Sequence, residues 1–297
     1  LDDGKYLFVG ADVGTNVEGV TGDALIGFGY DVLSAKPGTA RRNVAMGYDN
    51  QNVNTNGQYN TSMGWSALKS QGDGDYNTGL GYAALYSSTS ASYSTAVGAL
   101  SLATATTGNG NTAVGYAAAY TLPSSGTGIV ALGSGAGQSN TGNNNTFVGY
   151  ESFNGHNTNN TSNTIIGYRA MYGAGGYQHT GMSNNVAIGH EALRLHTGSN
   201  SVAIGFQAAD STTTGVTAVG YHALGANTTG PSNTAFGASA LASNTLGQSN
   251  TAVGSSALNN NTTAHYNTAV GNNCLPANTT GTQNTAVGHD ALNDNTQ

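Results

Sequence analysis

Nine aromatic residues recur along the chain at similar spacing: Phe28, Tyr48, Trp65, Tyr82, Tyr116, Tyr150, Tyr168, Phe206 and Tyr221. Each follows a glycine. Rings placed at regular intervals can stack on the apolar faces of sugars, and they can equally pack on one another. Tyr48, Trp65, Tyr82, Tyr116, Tyr150 and Tyr168 are therefore candidate glycan or ligand contacts, with Trp65 the only tryptophan. A second candidate lies in a glycine-rich stretch, where Tyr172, Tyr177 and His179 could converge on a ligand. A tolerated surface insertion gives the same pattern.

Chemistry of other kinds finds little support. Glu151, Glu191 and Asp290 each sit two residues after a glycine, far apart in the chain. His190 and His289 share the aromatic slot but are equally separated. No paired carboxylates, Ser-His-Asp arrangement or phosphate loop can be read, so no catalytic residue and no cofactor is expected. Gln71-Gly72-Asp73-Gly74-Asp75 resembles a fragment of a calcium loop but lacks the further carboxylates such a site needs, and no metal is expected. Asn60, Asn160, Asn227 and Asn278 begin Asn-x-Ser/Thr sequons, acceptors only where the source modifies asparagine.

The spacing of these residues is set by a repeat. Asn267-Thr268-Ala269-Val270-Gly271 returns as Asn284-Thr285-Ala286-Val287-Gly288, seventeen residues later. Anchoring on the glycine gives copies at Gly10, 27, 47, 64, 81, 98, 115, 133, 149, 167, 189, 205, 220, 237, 254, 271 and 288. The residue before the anchor is apolar, Thr or Val usually stands three before it, and Ala, Ser or Gly two before it. Asn is common four before. After the anchor comes x-x-Ala-Leu and a polar turn such as Asn227-Thr228-Thr229-Gly230. Alternation of period two, rich in β-branched residues and closed by Gly and Asn, predicts a short strand followed by turns.

Units of one strand plus turns at fixed length predict an all-β chain, a parallel β-solenoid of about seventeen coils spanning residues 1–297 as one array. Irregular loops are expected at 31–43 and 172–183. Coils stacked at the strand spacing of ~4.8 Å would form a rod on the order of 80 Å, with Asn and Thr ladders along it. The apolar column before the anchor, with the Thr column on the same face, is expected to point inward. The small Ala/Ser/Gly column would then point outward and let a second chain approach, because one coil buries little apolar area. An ice-binding face needs an exposed, flat Thr column, which this orientation would deny.

Asn185-Val186-Ala187-Ile188-Gly189 and Ser201-Val202-Ala203-Ile204-Gly205 resemble the head repeats of trimeric autotransporter adhesins. The Asn-Thr-Ala-Val-Gly-Tyr-x-Ala-Leu form is similar to repeats of phage tail fibres. The resemblance implies a left-handed parallel β-roll, three chains side by side, in an extracellular, cell-surface or virion fibre. The function expected is a non-enzymatic structural subunit. The alternatives are an adhesin or receptor-binding tail fibre recognising surface glycans, and an ice-binding solenoid.

Composition narrows the partners. Charged residues make up 7% of the chain, with seven Lys and Arg against fourteen Asp and Glu. A net charge of −7 speaks against nucleic acid. No apolar run approaches the ~20 residues of a membrane span. The single cysteine, Cys274, occupies an Ala slot of the repeat and reads as a small buried residue. The first and last anchors lie nine residues from the chain ends, and neither end reads as a polar cap. The partner expected is thus another copy, as a trimer or a head-to-tail filament.

Overall fold

A computed structural model describes residues 6–15, 24–34, 40–122, 126–140, 142–173 and 178–296. The chain divides into two compact units, Leu1–Asn144 and Asn145–Gln297. Both are parallel β-solenoids, and no helix occurs among the described residues.

In the first unit eight strands pair in chain order. They are β1 (Tyr6–Ala11), β2 (Leu25–Tyr30), β3 (Val44–Tyr48), β4 (Thr61–Met63), β5 (Thr78–Leu80), β6 (Thr95–Val97), β7 (Thr112–Val114) and β8 (Val130–Leu132). In the second unit β9 (Thr146–Val148) pairs with β11 (Thr164–Ile166). The ladder then runs through β13 (Val186–Ile188), β14 (Val202–Ile204), β15 (Thr217–Val219), β16 (Thr234–Phe236), β17 (Thr251–Val253), β18 (Thr268–Val270) and β19 (Thr285–Val287). The expected seventeen coils are thus seventeen strands, making about fifteen turns. A side pair, β10 (His156–Thr158) with β12 (Gln178–Thr180), is also parallel.

One strand register differs from the sequence reading. β2 sets Gly29, not Gly27, opposite Gly10 and Gly47. The segment Gly27-Phe28-Gly29-Tyr30 offers two glycines, and the backbone chooses between them. Gly29 has φ +135, and a Cβ on it would run into the carbonyl of Gly47. Gly27 takes the small inward slot, against Val13, Phe8 and Leu33. Phe28 therefore stands before the anchor, and Tyr30 is the aromatic that follows it.

Each coil turns its columns in an alternating way, but in the opposite sense to that expected. Ala96, Ala113, Ala203, Ala235 and Ala252, two before their anchors, are wholly buried. The apolar residues before the anchors lie on the outside, with Val114 40% and Phe236 57% exposed. Thr251 and Thr268 share that outer face at intermediate exposure. A Thr-Ala-Val triplet alternates equally well either way round. The interior decides, because it is only wide enough for alanine on the strand side once Leu fills it from the opposite side. That filling comes from x-x-Ala-Leu, as Ala84 with Leu85 and Ala257 with Leu258, all fully buried. At two adjoining levels the interior widens: Ile165 fills the inward slot of one coil, and in the coil before it Phe147 stacks on Phe153 at 4.9 Å in place of the Ala and Leu of other coils.

The anchor glycines end each strand. Gly81 at φ +134 and Gly115 at φ +135 lie under the next anchor's carbonyl, where no Cβ fits. Beyond them the chain turns through left-handed residues that are not glycine, such as Ala83 (φ 51) and Leu85 (φ 53). The turns still bond from coil to coil: Leu68 N donates to Ala84 O at 2.9 Å, and Ala83 N donates to Trp65 O at 2.8 Å. Of the two expected loops, 31–43 contributes Val32 and Leu33 to a buried cluster with Leu25 and Ala45. The described part of 172–183 supplies β12.

Candidate functional site

The column after the anchors forms a file of rings in each unit. Tyr30 stacks on Tyr48 at 5.3 Å between centroids and 12° between planes. In the second unit Tyr150 and Tyr168 stack at 5.6 Å, then His190, Phe206 and Tyr221 follow at 4.9, 5.1 and 5.4 Å. The faces of Tyr168, His190 and Phe206 are covered by their neighbours, so mutual packing accounts for them. Tyr116 stands between Ala99 and Ser134 in its file.

Trp65 departs from this pattern. It meets Tyr48 at 69° and Tyr82 at 88°, with centroids 5.5 and 5.8 Å away. A ring standing edge-on in a stack turns its own face sideways. Trp65 is 58% exposed and lines a groove of about 600 Å³ in the first unit. One wall of the groove is Tyr48, Trp65 and Tyr82. The other is the column five after the anchors, here Lys69, Tyr86, Ala103 and Tyr120. Asp49, Ser66, Ala83 and Leu100 form the floor, with Ser87 and Thr104 beside it. The sequence puts Tyr48, Trp65 and Tyr82 together. It does not single out Tyr86 and Tyr120, whose seventeen-residue pattern is interrupted at Lys69 and Ala103.

One end of the groove carries an ion pair. Lys69 Nζ lies 2.5 Å from Asp49 and 5.7 Å from the centre of the Tyr86 ring. The Lys69 amine is held above its ordinary pKa by its hydrogen bond to Asp49, against the smaller effect of burial. For Asp49 burial works upward, but hydrogen bonds from Lys69, Asn52 and Ser66 prevail and leave the carboxyl below its usual value.

A second ladder was legible at the same period and was missed. Tyr59, Tyr76 and Tyr93 stand five before their anchors and stack at 4.6 and 5.3 Å, within 6° of parallel. Arg42 caps it, its guanidinium 5.1 Å from the Tyr59 ring centre. These tyrosines have φ near 57, an unusual backbone for an aromatic residue, which Gly110 (φ 67) and Gly128 (φ 66) adopt in the same slot of the next two coils.

The remaining candidates separate. Tyr172 is drawn to Tyr168 through Arg169, whose guanidinium lies 4.9 and 5.2 Å from the two rings. Arg169 also pairs with Glu151 at 2.7 Å, one coil away, so this carboxylate has a structural partner. Tyr177 falls outside the described residues. His179 contributes its backbone to β12, in register with Asn157. Asp73 and Asp75 accept hydrogen bonds from the preceding coil, from Asn56 at 2.8 Å and the Gln58 amide at 2.7 Å. Among the described residues, no group of three or more His, Cys, Asp or Glu could hold a metal ion. The sequon residues Asn60, Asn160, Asn227 and Asn278 are fully buried. Their amides bond to neighbouring groups, as Asn60 to Gly74 O at 2.9 Å, so the folded chain offers none of the four to a glycosylating enzyme.

The chain matches no known protein family, curated protein or solved structure. What it can do must be argued from its own surfaces.

Proposed function

We propose that this chain is a non-enzymatic structural subunit of an extracellular, cell-surface or virion fibre, and that copies associate side by side through the outer face of the strands. The observation that carries this reading is the position of the apolar column. In coil after coil the larger aliphatic residue of the strand lies outside and alanine lies inside. Parallel sheets are ordinarily covered on both faces, and a repeated apolar column left in water is an unusual surface for a lone chain. Association through the inward Ala column is ruled out by its burial, so the contact moves to the opposite face. Three chains side by side is the arrangement that the resemblance to adhesin heads and tail fibres implies.

Sedimentation equilibrium tests the reading. The wild-type chain should be a discrete oligomer at micromolar concentration. Val253→Lys with Val270→Lys should dissociate it, while circular dichroism stays β-rich. A wild-type chain that is monomeric at about 100 μM, below an affinity of ~5 kcal/mol, would overturn it.

The outward Thr column revives one alternative, an ice-binding face, since Thr251, Thr268 and Thr285 stand one above another on the sheet. The adjoining column changes in size through Met63, Leu80, Val114 and Phe236, which breaks the flatness a lattice match needs. Interdigitation with another copy suits that unevenness better. Thermal hysteresis in the dissociated variant would favour the ice-binding reading.

A further inference from the structure

We infer that the groove beside Trp65 is a binding site for a neutral saccharide chain lying along the stack of coils. This inference does not rest on the association of copies proposed above. It starts from three features of the first unit.

The first is a gap in both walls at the same coil. After Gly98, the residues that are tyrosine one coil earlier and one coil later are both alanine. Ala99 stands between Tyr82 and Tyr116, and Ala103 stands between Tyr86 and Tyr120. Elsewhere in this file the rings are spaced by 5.3 to 5.8 Å. Omitting one ring leaves a slot two coils high, about 9.6 Å, between tyrosines on each side. At Ala99, which is partly exposed, a slot of that height takes a single ring of another molecule; Ala103 is 5% exposed, so the gap in its wall is nearly closed over. The second feature is Trp65, two coils along, which turns its face out of the stack instead of onto its neighbours. Of the residues that border the gap, Tyr82, Tyr86, Ala103 and Tyr120 line one groove with the exposed indole.

The third feature is what surrounds the rings. Ser66, Ser87 and Thr104 line the groove along with the phenol groups of Tyr82, Tyr86 and Tyr120. A wholly apolar ligand would desolvate these hydroxyls without pairing them. A pyranose has C–H faces for the aromatic rings and hydroxyls around its edge for the polar groups. One sugar residue is also about as long as one coil is high, ~4.8 Å, so successive residues can meet successive coils in register. Neutrality follows from the ion pair. Lys69 is satisfied by Asp49 at 2.5 Å, and no other Lys, Arg, Asp or Glu lines the groove.

Trp65 is the only tryptophan, so indole emission, excited beyond the tyrosine band, reports on this groove alone. The experiment is a titration of the full chain with neutral hexasaccharides: a β-1,4-glucan, a β-1,3-glucan and a β-1,4-linked N-acetylglucosamine oligomer. At least one should give a saturable change in emission, with a dissociation constant on the order of 0.1–1 mM. Ala99→Tyr should weaken binding by at least about tenfold, because it fills the slot with a ring. Tyrosine occupies this place in other coils, so the variant keeps the fold, as its unchanged melting temperature would verify. Tyr221→Ala, in the ladder of the other unit, should leave binding unaltered. The inference fails if no hexasaccharide saturates the signal up to about 10 mM. It also fails if Ala99→Tyr binds like the wild type. It fails as well if sulfated oligosaccharides or a proline-rich peptide bind more tightly than every neutral sugar.

Discussion

His196 shows how far one residue can depart from its column. It stands seven after its anchor, where later coils carry Asn227, Asn244 and Asn261, and it is fully buried. Nδ1 lies 2.9 Å from Thr212 O and donates to it, while Nε2 is buried with no partner. Burial drives its pKa down to about 4 from 6.5, against the raising effect of its backbone hydrogen bonds. The folded state therefore holds the neutral ring. Between pH 6.5 and 4 the unfolded chain takes up a proton that the folded chain refuses. Stability is thus complete above about pH 6.5 and falls as the pH drops towards 4, by roughly 3 kcal/mol. His196→Asn, which restores the amide of the neighbouring coils, should remove most of this dependence. Thermal melts of both proteins at pH 4.5 and 7 check it. An equal pH dependence in the two would show that other groups set the acid limit.

At the scale of the element, the stack is held by two asparagine columns with different jobs. Four before the anchors, Asn residues such as Asn43, Asn60 and Asn250 turn both ends of the amide toward the next coil. Asn60 Oδ1 accepts from Asn77 N at 2.8 Å, and its Nδ2 donates to Gly74 O at 2.9 Å. Seven after the anchors, in the second unit, amides bond to one another. Asn244 Nδ2 donates to Asn227 Oδ1 and Asn261 Nδ2 to Asn244 Oδ1, both at 2.8 Å. Asn244→Ala would remove one of two donors from Asn227 Oδ1 and from Gly247 O, each of which keeps Asn233 Nδ2, and would take the acceptor Oδ1 from Asn261 Nδ2. A loss of about 1–3 kcal/mol in urea denaturation is expected. The outward Thr251→Val should change stability by no more than ~0.5 kcal/mol. The positions of these asparagines were legible from their spacing. Their two geometries were not, because identical side chains in both columns differ only in where the backbone aims them. The left-handed Leu85 and Leu258 were equally hidden, since leucine gives no local sign of a positive φ.

For the whole molecule, the charge pattern decides how association should respond to salt. The two outer strand columns hold Thr, Val, Ile, Leu, Met and Phe and no charged residue. If copies meet there, raising sodium chloride from 0.05 to 0.5 M should alter the association constant less than about twofold, apart from the weak effect of screening the net charge of −7. A steep salt dependence in sedimentation would place the contact on another surface. The period, the all-β class and the parallel stacking could be read from the chain, because a seventeen-residue echo and β-branched alternation leave few other folds. The choice between Gly27 and Gly29 could not, since it depends on a carbonyl contributed by Gly47 in the next coil. Nor could the outward turn of Val114 and Val253, since period two is blind to which side is the inside. Of the groove, the Tyr48–Trp65–Tyr82 wall was visible, whereas the paired gaps at Ala99 and Ala103 gain meaning only when two columns are set face to face.

The amide file from Asn227 to Asn278 has a further consequence. Every link runs the same way, from the N–H of a later coil to the oxygen of an earlier one. The side-chain dipoles therefore add head to tail, as peptide dipoles do in a helix, although a β-sheet by itself carries little net moment. Each bond polarises the next, so the row behaves as a one-dimensional polar crystal with a single domain. Reversing an amide would set its oxygen against a backbone carbonyl, since each Nδ2 also donates to one three residues on, as Asn244 does to Gly247 O; the backbone thus fixes the direction of the row. The second unit thus has an electrical direction, carried through its buried interior by uncharged residues.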